Sequence, residues 1–268
     1  RLDLDPTLNN VEQTADGLVL PDNTIVFVGT VADKQFIGRA DASGLLDTTF
    51  GGAGFVIESL GGTSSTGDAV RADANNRLVV LGSTTPVPGQ IDLVVSRYTT
   101  TGALDTFGTG GRVTITTGGV LTPLGLIILS TGKILVAATT TDGTTNHYAL
   151  FRLNSDGTPD TTFGTGGAVD YPVATTGIAM TVLADGKIML LGQTGLKASL
   201  VRFKANGAVD NLFGTGGLVE VAFIDSGSGS NEVGSIAVYD ANKIVIGGSD
   251  GGASPGPGRT AAVARLWN

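Results

Sequence analysis

The sequence contains no cysteine, which excludes disulfide bonds, cysteine nucleophiles and thiolate metal sites. It has a single histidine, His147, so sites built from several histidines are excluded and only one imidazole could serve as the base for a serine nucleophile. One tryptophan and four tyrosines offer few aromatic platforms for sugars. The composition therefore predicts no metal site and no cofactor.

Positive charge is also scarce, with 16 Lys and Arg residues against 24 Asp and Glu residues and a net charge of −8. An acidic surface repels phosphate groups, so neither nucleic acid nor an anionic membrane surface is an expected partner. The longest apolar run, from Leu124 to Leu129, is far too short to cross a bilayer, and we expect no membrane insertion.

Glycine, in contrast, accounts for 42 of the 268 residues, which suits short strands joined by tight turns and disfavours long helices. The stretch "NSDGTPDTTFGTGG" at 154–167 recurs in varied form along the chain. The aspartates of its five copies are Asp5, Asp47, Asp105, Asp160 and Asp210, at intervals of 42, 58, 55 and 50 residues. The sequence is therefore built from internal repeats.

Each repeat also predicts four strands. Two apolar runs flank a turn rich in Asn, Gly and Asp, as in "LADGKIMLLG", which is typical of a tight hairpin. A third run ends in arginine and a fourth follows "FGTGG" in most copies. Five units of four antiparallel strands predict an all-β fold, a five-bladed β-propeller that forms one domain over residues 1–268.

The spacing of arginine and aspartate predicts that the ring closes on itself. An arginine precedes the repeat aspartate by eight positions in Arg39–Asp47, Arg97–Asp105, Arg152–Asp160 and Arg202–Asp210. Counting from Arg265 through the C-terminus to Asp5 again gives eight positions. We therefore expect residues 1–10 to complete the last blade as its outer strand and Asp5 to contact Arg265.

The repeats, best seen in "LADGKIMLLGQT…ASLVRFKANGAVDNLFGTGG" at 183–217, resemble the delta-60 repeat, a β-propeller repeat of bacterial surface and secreted proteins. The resemblance covers nearly the whole chain. It implies an extracellular or cell-surface protein whose signal peptide has been removed. That family is largely uncharacterised, so the resemblance implies a fold and not an activity.

The repeated aspartates invite a functional interpretation, which the sequence does not favour. A calcium loop needs several more oxygen ligands, and "TTTGALDT" and "KANGAVDN" lack its first acid. A phosphate cradle would need a helix beginning after the glycines. We interpret the five Arg–Asp pairs as structural, with Phe50, Phe107, Phe163 and Phe213 filling the gaps between blades.

Candidate ligand-binding residues remain at the loop ends of the inner strands. A glycosidase would need carboxylates that converge there, and the candidate acids are Asp16, Asp68, Asp73 and Glu232. Arg71 is the lone cation of an inner strand, and His147 stands where a loop enters a strand. We predict Asp16, Asp68, Arg71, Glu232 and His147 as a ligand-binding set without catalytic residues.

The loops between the second and third strands vary most, from "TTPVPGQ" to "SDGGASPGPG". Variable polar loops on a rigid scaffold favour recognition of a partner. The expected function is therefore a non-enzymatic binding or structural module that contacts a protein partner or assembly through these loops. The alternative is a carbohydrate-binding lectin, and a glycosidase comes last.

Overall fold

The computed structural model describes residues 12–141, 143–173, 176–222, 232–240, 243–250 and 260–267. The chain divides into two compact units. The first unit comprises Arg1–Val136 with Arg152–Pro159, and the second comprises Ala137–Phe151 with Asp160–Asn268. The predicted single domain over 1–268 stays a prediction.

The described residues form five sheets of sequential strands and no helix. The first sheet contains β1 (Gln13–Val19), β2 (Ile25–Val31), β3 (Lys34–Ala40) and β4 (Phe55–Glu58). The second sheet contains β5 (Ser65–Ala72), β6 (Leu78–Thr84), β7 (Asp92–Tyr98) and β8 (Arg112–Ile115). The third sheet contains β9 (Thr122–Ile128), β10 (Ile134–Thr141), β11 (Asn146–Leu153) and β12 (Ala168–Val173).

The fourth sheet contains β13 (Thr176–Val182), β14 (Ile188–Thr194), β15 (Lys197–Phe203) and β16 (Leu218–Ala222). The fifth sheet has three strands in the described residues, namely β17 (Glu232–Asp240), β18 (Lys243–Asp250) and β19 (Thr260–Trp267). The all-β prediction is confirmed, and five such sheets fit a five-bladed β-propeller. Asp5 and the predicted strand at residues 1–10 lie outside the described residues.

The hairpins between the first and second strands form where the turn residues predicted them. Asn23 and Asn76 have positive φ angles of 65° and 57°, and Gly132 and Gly186 occupy the corresponding turns at 76° and 82°. Asn and Gly tolerate this conformation best, so the turn composition sets where each strand reverses. Reversal at these points fixes the register between the two strands that each turn joins.

In the first unit, the core lies between the first and second sheets. Residues of both sheets form one buried cluster, which contains Leu20, Val26, Val28, Ile37, Phe50, Val70, Leu78, Val80 and Tyr98. Phe50 comes from the "DTTFGG" stretch and packs with Tyr98 of β7, so it fills the space between two sheets, as the repeat predicted.

In the second unit, the equivalent core lies between the fourth and fifth sheets. Its buried members include Leu183, Met189, Leu200, Phe213 and Ile246. Phe213 stands at the same repeat position as Phe50, and both side chains are buried. Alternating strand residues from two neighbouring sheets therefore build the same kind of core in both units.

The repeated arginine joins the aspartate eight residues later and the phenylalanine that follows. In the second sheet, Arg97 Nε donates to Asp105 Oδ2 at 2.7 Å, and the guanidinium carbon lies 4.9 Å from the Phe107 ring centroid. Arg39 contacts Asp47 and Phe50 in the same way, and Arg202 contacts Asp210 and Phe213. Arg152 and Asp160 are both buried.

Two of these arginines also donate hydrogen bonds to the neighbouring sheet. The sequence did not predict these contacts. Arg39 Nη1 donates to the carbonyl of Thr100, and Arg97 Nη1 donates to the carbonyl of Ser155. The amide of Gly51 donates to Thr101 O at 2.9 Å beside the first of these contacts. The Arg–Asp pair thus holds a blade's own loop and the turn of the next blade together.

Gly51 shows why glycine is needed at this junction. Its φ is 59°, and a Cβ there would lie 2.3 Å from the carbonyl oxygen of Phe55. Gly102, on the neighbouring turn, faces the Phe50 ring so closely that an added Cβ would lie 3.2 Å from it. Gly51 therefore allows the tight turn within its own blade, and Gly102 allows the turn of the next blade to approach the Phe50 ring.

We predict that Arg97→Ala lowers the free energy of unfolding by about 1–3 kcal/mol, because it removes a buried guanidinium group that binds Asp105, donates to the Ser155 carbonyl and stacks on Phe107. Arg77→Ala is the matched control, since Arg77 Nη1 binds the same Asp105 oxygen at 3.0 Å but its side chain is more exposed. The Arg77→Ala variant should lower the free energy of unfolding by less than about 1 kcal/mol. Equal losses for the two variants in urea unfolding would contradict the inter-blade role of Arg97.

Candidate functional site

The inner strands carry a β-bulge near the end at which the candidate acids stand. The register shifts between Thr14 and Asp16 in β1 and between Gly67 and Ala69 in β5. Equivalent shifts occur in β13 and β17. A bulge re-aims the side chains of a strand and releases backbone groups from regular pairing. It therefore determines where Asp16 and Asp68 point.

A cavity of about 230 Å³ lies between inner strands β1, β5 and β9 in the first unit. We call it the inner-strand cavity, and it is lined by Ala15, Asp16, Asp68, Ala69, Arg71, Leu81, Pro123, Leu124 and Gly125. Three of the five predicted ligand-binding residues thus line one cavity. The rest of its wall is apolar.

Asp16 and Arg71 form an ion pair between β1 and β5. Arg71 Nη1 donates to Asp16 Oδ2 at 2.6 Å, and the same oxygen accepts the amide of Val70 at 3.1 Å. The other carboxylate oxygen accepts the amide of Gly17 at 2.9 Å. Both oxygens of Asp16 are therefore engaged by this chain.

Asp68 lies in the same cavity without such a cation. Its two oxygens share the hydroxyl of Thr66, at 2.9 and 3.0 Å, and that hydroxyl contacts Ser83 Oγ at 2.5 Å. Burial raises the pKa of Asp68, and the hydroxyls of Thr66 and Ser83 offset part of the rise. A carboxylate in this setting keeps unused acceptor capacity toward the cavity.

The other two predicted residues belong to the second unit. His147 lies at the start of β11 with a side chain only 17% exposed, and its Nδ1 is 2.9 Å from Asp170 Oδ1. Its position beside a loop suggested more exposure than this. Glu232 is exposed at the start of β17. Neither residue is described as part of the inner-strand cavity.

The remaining candidate acid, Asp73, lies in the turn after β5. It accepts hydrogen bonds from the amide of Asn75 and from Arg77 Nε at 2.8 and 2.7 Å. Its carboxylate therefore shapes the β5–β6 turn. In the second sheet, Arg77 links this turn to Asp105.

The sequence did not predict the apolar wall of the cavity or the hydrogen-bonded hydroxyls of Thr66 and Ser83 beside Asp68. Leu81, Pro123 and Leu124 come from β6 and β9 and look like ordinary strand residues in the sequence. Thr66 and Ser83 are likewise unremarkable among many threonines and serines. Only the packing of neighbouring sheets brings these residues beside Asp68.

The two aspartates of the 154–167 stretch, Asp156 and Asp160, accept hydrogen bonds within their own turns. Asp156 Oδ1 accepts the amide and the hydroxyl of Thr158 at 2.9 and 2.7 Å, and these bonds lower its pKa. Asp160 binds Thr162 in the same way. Within the described ranges, no group of three or more His, Asp or Glu side chains is placed to hold a metal ion.

Comparison with known proteins identifies the repeats. Residues 74–107, 129–163 and 183–213 match a family described as "Domain of unknown function (DUF5122) beta-propeller". These three segments therefore resemble the repeats of that β-propeller family. The resemblance to a largely uncharacterised β-propeller repeat is thereby confirmed at the level of fold. No curated protein has a significant sequence match to the chain.

Solved structures agree with the fold. A protein of unknown function from Dyadobacter fermentans is 12% identical with a TM-score of 0.57, over 96% of this chain and 77% of that one. The polysaccharide lyase Uly1 is 10% identical with a TM-score of 0.52, over 96% of this chain and 57% of that one. A protein from Lactobacillus plantarum is 9% identical with a TM-score of 0.51, over 94% and 70%.

At such low identities, the similarity shows a shared fold only. It does not assign the activity of those proteins to this chain. The chain spans little more than half of the polysaccharide lyase. Among the described elements, none is a helix long and apolar enough to cross a bilayer.

We predict that Asp68→Asn raises the melting temperature at neutral pH. The folded-state pKa of Asp68 lies above 3.8, so the ionised form is disfavoured by folding, whereas asparagine keeps an acceptor for the Thr66 hydroxyl. The gain should shrink as the pH falls through that raised pKa and disappear below 3.8, where the wild-type carboxyl is protonated in both the folded and the unfolded state.

Asp156→Asn is the control of opposite sign, because the pKa of Asp156 is lowered in the folded protein. That variant should be less stable than the wild type at neutral pH and should approach it under acid conditions. Thermal unfolding of both variants across this pH range measures the effect. A stabilising Asp68→Asn effect that did not change with pH would contradict burial of the charge as its cause.

Proposed function

We propose that this protein is a non-enzymatic binding module that recognises a protein partner through its inner-strand cavity and the adjoining loops. The proposal rests on the hydrogen bonds that hold the carboxylate of Asp16. Its oxygens accept hydrogen bonds from Arg71 Nη1 and from the amides of Val70 and Gly17. A carboxylate held in this way is poorly suited to act as a nucleophile or as a base.

The loops next to the cavity supply contact surface for a partner. In the first unit, residues 32–33 and 85–91 connect strands at the end where the bulges lie, and we call this surface the loop face. Val87, between two prolines, is 52% exposed at its tip. Leu196 is equally exposed on the equivalent loop of the fourth sheet. These two side chains offer apolar contact points to a partner, and the variation of the loops between repeats suits recognition.

An extracellular or cell-surface location belongs to the same proposal and rests on the resemblance of the repeats to bacterial surface and secreted proteins. A glycan is the second candidate ligand, because the cavity combines carboxylate and guanidinium groups with an apolar wall. A glycosidase is less well supported, since its mechanism needs two carboxylates free to act on the sugar.

We also propose that the chain closes as a ring of five blades, with residues 1–10 as the outer strand of the last blade. The fifth sheet has three described strands where the other four sheets have four. In the first unit, Val19 of β1 is 65% exposed, and in the second unit, Val263 of β19 is 73% exposed. Closure would bury apolar surface of this kind and remove an open sheet edge.

The binding proposal is tested by panning a random peptide library against the immobilised protein. We expect enriched peptides whose binding is lost in Val87→Asp, because a charge at the tip of the loop face opposes apolar contact. Leu45→Asp is the matched control, since Leu45 is 68% exposed on a turn at the opposite end of the strands. Binding to this variant should be unchanged.

A glycan array run with the same protein separates the alternatives. Reproducible retention of one sugar class, with no peptide enriched, would replace the protein partner by a glycan. Hydrolysis of a bound glycoside would show that the protein is an enzyme.

Ring closure is tested by a double-mutant cycle between Asp5 and Arg265. Asp5→Asn and Arg265→Ala should show a coupling energy of about 0.5–3 kcal/mol in thermal or urea unfolding, as residues in contact do. The cycle of Asp3→Asn with Arg265→Ala is the control, because Asp3 falls outside the spacing of eight. Deleting residues 1–8 should also destabilise the protein strongly. Additive effects in the Asp5 cycle would contradict closure in this register.

A further inference from the structure

Among the described residues, Asp68 is the acid of the inner-strand cavity that has no cation beside its carboxylate. Its contacts are with the hydroxyls of Thr66 and Ser83, which are uncharged. In the described parts of the chain, no Lys or Arg nitrogen lies within ion-pair distance of it. Asp16, in contrast, is matched by Arg71 at 2.6 Å. The cavity therefore carries two acids and one cation, a formal charge of −1.

The wall around Asp68 is suited to a short aliphatic chain. Leu81, Pro123 and Leu124 are apolar and border the cavity together with Ala69. The volume of about 230 Å³ is small for an oligosaccharide or a large cofactor. A ligand that matches both features has a narrow apolar stem and a cationic end.

We propose that the inner-strand cavity binds a lysine side chain presented by the partner protein, with its methylene stem against Leu81 and Leu124 and its ammonium group at Asp68. This inference rests on the proposed binding function and names the group that the site recognises. Lysine commonly lays its methylene chain along apolar surface while the ammonium group meets a polar partner.

Three further observations favour an ammonium group. An ammonium has three N–H donors, which suits a carboxylate whose oxygens share one hydroxyl. Burial disfavours the ionised form of Asp68, and a bound cation would offset this penalty. The net charge of −8 would also attract basic partners over a distance.

Other ligands fit the cavity less well. A calcium ion takes six to eight oxygen ligands, whereas both oxygens of Asp16 are already engaged and only Asp68 offers free capacity. A sugar ring commonly stacks on an aromatic side chain, and the described lining of the cavity contains none. A phosphate or carboxylate ligand would be repelled by Asp68.

The test uses the full-length protein and two probes, Nα-acetyl-lysine N-methylamide and its neutral analogue Nα-acetyl-norleucine N-methylamide. Binding is measured by NMR titration at neutral pH up to the highest soluble probe concentration. We expect saturable binding of the lysine probe and none of the norleucine probe. Asp68→Asn should weaken lysine binding by about tenfold or more, since it removes a charged acceptor.

Asp22→Asn is the matched control, because Asp22 is an exposed acid in the β1–β2 turn, away from the loop face and outside the cavity lining. Asparagine keeps a side-chain oxygen that can accept from the amide and the hydroxyl of Thr24. This variant should bind the lysine probe like the wild type. Ala15→Leu, which places bulk at the cavity wall without changing a charge, should also abolish binding. Lysine binding should weaken as the pH falls and Asp68 takes up a proton.

The possible outcomes of these titrations distinguish the lysine assignment from the proposed binding function. Equal binding of the two probes, no saturable binding of the lysine probe, or wild-type affinity in Asp68→Asn would overturn the lysine assignment. If enriched peptides still bound through Val87 in that case, the proposed binding function would stand and only this inference would fail. Binding of a sugar that is lost in Asp68→Asn would overturn both the lysine assignment and the choice of a protein partner.

Discussion

The repeated arginine joins parts of two neighbouring blades through a single side chain. Arg97 binds the aspartate of its own blade, stacks on the phenylalanine of its own loop and donates to a carbonyl of the next blade. Its guanidinium group can do this because it is planar, carries donors on several sides and stacks on aromatic rings. A lysine could supply the charge but not the three contacts at once. The loop that connects the outer hairpin is thereby fixed to two blades.

The geometry of the inner strands follows from this attachment. In the first unit, Arg39 and Arg97 each attach the outer part of one sheet to the next sheet, and inner strands β1 and β5 lie side by side. In the first unit, this places the bulges of β1 and β5 close enough for Asp16 to accept hydrogen bonds from Val70 and Arg71. The inner-strand cavity is the space left beside this contact. Its chemistry is set by the few positions at which the repeats differ.

The inner strands differ between repeats at the positions that line the cavity. Asp68 occupies the bulge position at which β1 has Ala15 and β13 has Ile178. Arg71 differs from the repeat in the same way. These two departures lie in one blade and line one cavity, as expected if a single blade is specialised for binding and the others support it.

The sequence by itself determined the strands, their turns and the repeat, because these depend on local chemistry. Alternating apolar residues, Asn and Gly in the turns, and a conserved spacing of eight between Arg and Asp are all visible in the printed sequence. Polar residues on inner strands also identified Asp16, Asp68 and Arg71 as candidates. The tertiary structure alone decided which of them meet, since Asp16 and Arg71 are 55 residues apart and come together only through the packing of two sheets. It also decided the surroundings of Asp68, because the burial that raises its pKa and the apolar wall formed by Leu81, Pro123 and Leu124 arise only when neighbouring strands pack together.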